Sequence, residues 1–67
     1  MIDGAHRVEF EDVHVIGAND LVILCQIGSD IVEVSPRDIL PGTTISGQGD
    51  RGRLVIPRQR ALTLGLV

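Results

Sequence analysis

The sequence predicts a mainly β domain, a small antiparallel β-barrel or curled sheet with one short C-terminal helix, acting as a homo-oligomer. Three observations carry this expectation. Of 67 residues, 16 are Val or Ile, Phe10 is the only aromatic, and Tyr and Trp are absent; branching at Cβ restricts χ1 and suits a pleated surface better than a helix. The apolar residues come in short alternating runs broken by Gly, Pro, Asn and Asp, which is the pattern of successive strands and turns. Finally, 67 residues make one domain, 1–67, and a domain of that size buries only about 60% of its unfolded surface. One cysteine excludes an internal disulfide framework. Leu21, Val22, Ile23, Leu24, Cys25 and Ile27 form a run apolar on both faces, which a sheet covered on one side does not bury twice. Association of copies answers both problems.

Along the chain, Val8 and Phe10 alternate with polar neighbours, and Val13 and Val15 do so in the opposite parity. The apolar set changes face across Glu11 and Asp12, and a bulge there restores the register. Gly17, Ala18, Asn19 and Asp20 supply turn chemistry before the strand at 21–27. Gly28, Ser29 and Asp30 then separate it from Ile31 to Val34 as a hairpin. Pro36 stops that second strand, and Pro41-Gly42 marks another turn. Thr43 to Ile45 suit a short strand. Ser46 to Gly52 holds three of the eight glycines and no apolar residue, the composition of a mobile loop. Arg53 to Ile56 resume a strand. From Pro57 onward a short helix is preferred, with Pro57 at its first position, helix formers at 58–62 and Gly65 beyond its end. The alternation of Leu62, Leu64 and Leu66 keeps a strand open as the other reading.

Charge is divided along the chain. Residues 1–34 carry seven acids against Arg7, giving −6, while 35–67 carry five arginines against Asp38 and Asp50, giving +3. All six cations are arginine, whose planar fork fits phosphate or carboxylate bidentately. Arg51 and Arg53 flank Gly52 in the glycine loop, and Arg58 and Arg60 open the expected helix. Backbone N–H groups of a glycine loop and a helix start favour anions. The candidate ligand-binding residues are therefore Arg51, Arg53, Arg58, Arg60, Gly49 and Gly52. The competing structural reading has the acidic half of one subunit neutralise the arginines of the next.

Catalytic groupings are thin, and the expectation is a non-enzymatic protein without metal or cofactor. His6 and His14 lack metal-ligand spacing, and His14 among Val13, Val15 and Ile16 reads as a strand histidine. Cys25 lies in the most apolar run, where a thiol is buried and inert. Glu11 and Asp12 are adjacent, so they point to opposite faces unless a bulge intervenes. Gly47 to Gly52 spells G-x-G-x-x-G, but a dinucleotide site needs a helix next, and another strand follows. With one Phe there is no aromatic platform for single-stranded nucleic acid or Pro-rich peptides. The longest apolar run is five residues, Leu21 to Cys25, against roughly 20 for a membrane helix. Met1 to Gly4 open no secretory signal, and the expected compartment is the cytoplasm.

The segment from Gly52 to Leu66, with its G-R-x-x-I-P start and L-G-L ending, resembles the strand, proline and helix of the AbrB and MazE swapped-hairpin regulators. That resemblance implies duplex DNA as partner, with Arg53, Arg58 and Arg60 as contacts. The hairpin at Leu21 to Val34, the Pro-containing Ser35 to Ile39, the polar loop Ser46 to Gly52 and the closing I-P-x-x-x-A-x-x-x-G-L of Ile56 to Leu66 are together similar to small phage and bacterial β-rich chains. This likeness implies an anti-defence accessory protein that sequesters a nucleotide signal. The leading expectation is an oligomeric module gripping a phosphate-bearing small ligand through its Arg/Gly cluster. A swapped-hairpin DNA-binding regulator or antitoxin is the alternative, and a structural protein-interaction subunit the third.

Overall fold

Strand β1 spans Arg7–Ala18, β2 Ile23–Ile27, β3 Asp30–Val34 and β4 Arg51–Pro57, followed by helix α1 at Arg58–Thr63. The computed structural model describes residues 6–67. Met1 to Gly4, on which the expectation about a secretory signal rests, lie outside the described residues, as does Asp3 of the acidic count. The strands form one antiparallel sheet in the order β3-β2-β1-β4.

The expected bulge in β1 is present. Phe10 pairs with Leu54 and Val13 with Gly52, so the register shifts between them, and Asp12 takes a φ of 59°. This left-handed residue lets Val8, Phe10, Val13 and Val15 all face the core despite their opposite parities. A second shift between Val15 and Gly17 takes up Ile16. The turn into β2 is closed by Asn19, whose side-chain oxygen accepts the N–H groups of Leu21 and Val22 at 2.7 and 2.9 Å. The strand consequently begins at Ile23, two residues later than the apolar run implies. Leu21 is left in the turn, 78% exposed, so the outer face of β2 carries only half-buried Leu24 and Gln26.

The β2–β3 hairpin turns on Gly28 and Ser29 alone. Gly28 has φ 62° and Ser29 is not left-handed, the combination of a type II′ turn, which matches the twist of the flanking strands. Pro36 opens a 3-10 turn, Pro36–Asp38. The connection then crosses the inner face from one sheet edge to the other, burying Ile45 and packing Ile39 against the core. The core is Val13, Val15, Ile23, Cys25, Val34, Ile45, Leu54, Ile56 and Ala61. Ala61 brings α1 onto it, with Leu64 and Leu66 alongside.

Three expectations are corrected. The sheet is open, neither a barrel nor curled, because β3 and β4 are its opposite edges. Closure of β4 is prevented by the chain at 40–44. Leu40 and Thr44 donate their N–H groups to the carbonyls of Val55 and Arg53, each at 2.9 Å. The hydroxyls of Thr43 and Thr44 accept the N–H groups of Val55 and Arg53 at 2.9 and 2.8 Å. Thr43 to Ile45 are therefore a strap along the edge of β4 held by both backbone and hydroxyl bonds, in place of the regular strand the sequence suggests. The third correction concerns Ser46 to Gly52, a tied turn in place of a loose loop. The Gly49 N–H donates to Val15 and the Val15 N–H to Asp50, both at 2.8 Å, and β4 already starts at Arg51.

At the C-terminal end the helix reading holds. Gly65 has φ 79°, its N–H reaches Leu62 O at 3.1 Å, and that of Leu66 reaches Ala61 O at 2.9 Å. These two bonds make a Schellman cap, which a strand through Leu62, Leu64 and Leu66 would forbid. The helix starts at Arg58, leaving Pro57 as its N-cap.

Candidate functional site

The bulge and the arginines meet on the outer face of the β1–β4 pair. Two successive residues of β1, Glu11 and Asp12, stand opposite the single Arg53 of β4, and both carboxylates reach its arginines. Arg53 Nε donates to Glu11 Oε2 at 2.9 Å, and Arg51 Nε lies 3.1 Å from Asp12 Oδ1. Glu11, Asp12 and Arg51, with His14, Gln26 and Gly28, surround an open recess. Both pairs are well exposed, and such pairs contribute about 0–1 kcal/mol. Replacing Arg51 by Ala is accordingly expected to move the urea midpoint by no more than a few tenths of 1 kcal/mol in stability. A loss above ~1.5 kcal/mol would show that the pair does more than neutralise charge.

Arg58 and Arg60 stand elsewhere. From Arg53 to Pro57 the strand advances about 13 Å at roughly 3.3 Å per residue, and α1 then folds onto the inner face through Ala61. Arg60 Nε pairs with Asp38 Oδ2 at 3.0 Å, joining α1 to the 3-10 turn. That pair borders a recess with Pro57, Gln59 and Thr63. Arg58 has no ion pair among the described residues. The arginines named from sequence thus fall into two groups on different sides of the sheet, and three of the four are neutralised by acids of their own chain. Glu11, Asp12 and Asp38 are the partners that sequence reasoning missed. For Glu11 and Asp12 the excess of acid in the first half was the visible signal, without the pairing; Asp38 lies in the basic half and gave none.

The glycine positions have defined structural duties. The Gly49 amide is spent on Val15, and Gly52, opposite Val13 in β4, gives Thr44 room to approach. The loop does gather N–H groups around an anion, as its composition suggests, and that anion is the Asp50 carboxylate. Gly47 N–H and Ser46 N–H each donate to Asp50 Oδ2 at 2.9 Å, and the Ser46 hydroxyl donates at 3.1 Å. The bonds from Gly47, then from the Ser46 backbone and hydroxyl, hold its carboxyl below the usual carboxylate range. A carboxylate held low in the folded state stabilises it above its unfolded pKa, and that contribution disappears as pH falls through the lowered value. Asp50→Asn is expected to flatten the acid limb of a plot of urea midpoint against pH. An unchanged acid limb would show that Asp50 is not the group responsible.

Cys25 is buried with no disulfide partner, and burial raises its thiol pKa, opposing the thiolate a nucleophile needs. His14 is exposed on the outer face. No group of three or more His, Cys, Asp or Glu suited to a metal is present among the described residues. On the outer face near β3, Gly17, Ala18, Asn19, Val22, Leu24 and Glu33 line a shallow recess of about 200 Å³, with Ile31 beside it, 58% exposed. Compared with protein families, characterised proteins and solved structures, the chain shows no match.

Proposed function

We propose that the chain is a non-enzymatic binding module that works as a homo-oligomer, its contacts made through protein surface. The observation that supports this most is the contrast between the two sides of the sheet. Around β1 and β4, arginine meets carboxylate within one chain and Val55 is covered by Gly42 and by Arg7, which donates to Pro41 O at 2.8 Å. Around β2 and β3, half-buried Leu24 and exposed Ile31 are diagonal neighbours on the outer face, with no such cover among the described residues. So small a domain gains from burying apolar surface against another copy. Native mass spectrometry of the protein as purified tests the reading, with more than one subunit expected and a lone folded subunit as the contrary result.

A phosphate-bearing small ligand, including a sequestered nucleotide signal, is the second reading. Arg58, a guanidinium without an acid partner among the described residues and two residues from Arg60, is the observation that favours it. On that reading calorimetry detects a mononucleotide or cyclic dinucleotide, and Arg58→Ala removes the heat. Duplex DNA is the third, and it would draw Arg53 and Arg60 out of their ion pairs; its mark is an affinity falling steeply with salt.

A further inference from the structure

The two edges of the sheet are treated differently. On β4, the outward backbone groups of Arg53 and Val55 are all taken up by the strap at 40–44. On β3, the hairpin fixes what faces outward. A two-residue turn makes its flanking residues, Ile27 and Asp30, a hydrogen-bonded pair, so Asp30, Val32 and Val34 bond to β2 while the N–H and C=O of Ile31 and Glu33 point away. No other segment pairs with β3 among the described residues. An uncovered edge is a template for another strand.

We propose that β3 pairs, antiparallel and edge to edge, with β3 of a second copy, Val32 standing opposite the partner's Val32, so that two four-stranded sheets become one. This interface rests on the self-association proposed above. A second copy fits for two reasons. First, the strap leaves one free edge among the described residues, so sheet extension by copies has to be symmetric and closes at two, whereas a chain with both edges free could continue into a fibre. Second, the charges select the register. Pairing Glu33 with the partner's Glu33 would oppose like charges. With Val32 at the two-fold axis, Ile31 exchanges bonds with the partner's Glu33, and Glu33 with the partner's Ile31, using every outward group. The two Ile31 side chains become diagonal neighbours on the outer face, and the half-buried Val32 residues meet across the inner one. Asp30 comes opposite the partner's Val34, at the end of the strand leading to the partner's Arg37. Arg37 has no ion pair within its own chain among the described residues.

The register makes a charge-swap test available. Sedimentation velocity at micromolar concentration is expected to show a dimer for the natural protein. Ile31→Glu, at an exposed position, sets a carboxylate against the partner's Glu33 and raises the dimer dissociation constant at least ~10-fold. The double variant Ile31→Glu with Glu33→Lys restores the dimer, because opposite charges then face each other. If the natural protein self-associates and Ile31→Glu does so equally well, β3 is not the interface while the oligomeric reading stands; if the natural protein is a monomer, both fall. Should Ile31→Glu fail to fold, hydrogen exchange on the natural protein decides. The Ile31 and Glu33 amides become protected as concentration rises, and fast exchange at every concentration overturns the assignment.

Discussion

Leu54→Ala is expected to lower stability by about 2–5 kcal/mol. Leu54 is fully buried in β4, opposite Phe10 in β1, and belongs to the single core beneath α1 and the 35–50 connection. Removing three carbons there loses their transfer energy and leaves a cavity that rigid neighbours on the sheet fill only in part. A chain of this length has a total stability of roughly 3–10 kcal/mol at 0.05–0.15 kcal/mol per residue. The variant should therefore lose a large share of its stability, and unfold near room temperature if the natural protein lies at the low end of that range, as urea titration followed by far-ultraviolet circular dichroism would show. A loss below ~1 kcal/mol would mean that β4 does not anchor the core as described.

Gly52→Ala is expected to lower stability by about 1–3 kcal/mol through overpacking. A methyl group at Gly52 overlaps Thr44 Oγ1 and lies 3.5 Å from Ile45 Cγ2. Thr44 is the residue whose hydroxyl holds Arg53 N–H, and Ile45 is the core residue supplied by the connection. Making room for the methyl loosens the strap and lifts Ile45 from the core. Gly47→Ala is the control: a Cβ there meets nothing within 4 Å and the backbone is not left-handed, so its effect should stay within about 0.5 kcal/mol. Equal effects at the two glycines would contradict the strap.

Where local physics decides, the sequence foretold the structure. The parity change across Glu11 and Asp12 required a bulge, and Asp12 provides it in the left-handed region. Gly28 between apolar runs required a hairpin, Pro36 ended β3, and Gly65 capped α1. What went unread depends on partners distant in sequence. Arg53 and Glu11 are 42 positions apart, and no periodicity reports such a pair. The barrel expectation failed because the chain at 40–44, through the amides of Leu40 and Thr44 and the hydroxyls of Thr43 and Thr44, took the bonds that another strand would have made to β4. The proposed anion cradle was legible as a glycine loop, but its occupant, Asp50, lies inside the motif and looked like one more acid. Of the candidate ligand residues, Gly49 and Gly52 proved to serve β1 and the strap, and the arginines were divided between two faces.

The homo-oligomer proposed above is an association of copies governed by mass action. Its most direct test is the dependence of the melting temperature on protein concentration. Self-association predicts that the midpoint rises steadily as concentration is increased from nanomolar to high micromolar, because the folded state is drawn forward by mass action. A midpoint that stays constant across that range, with a cooperative transition at the most dilute end, would show a self-sufficient monomer and contradict that proposal.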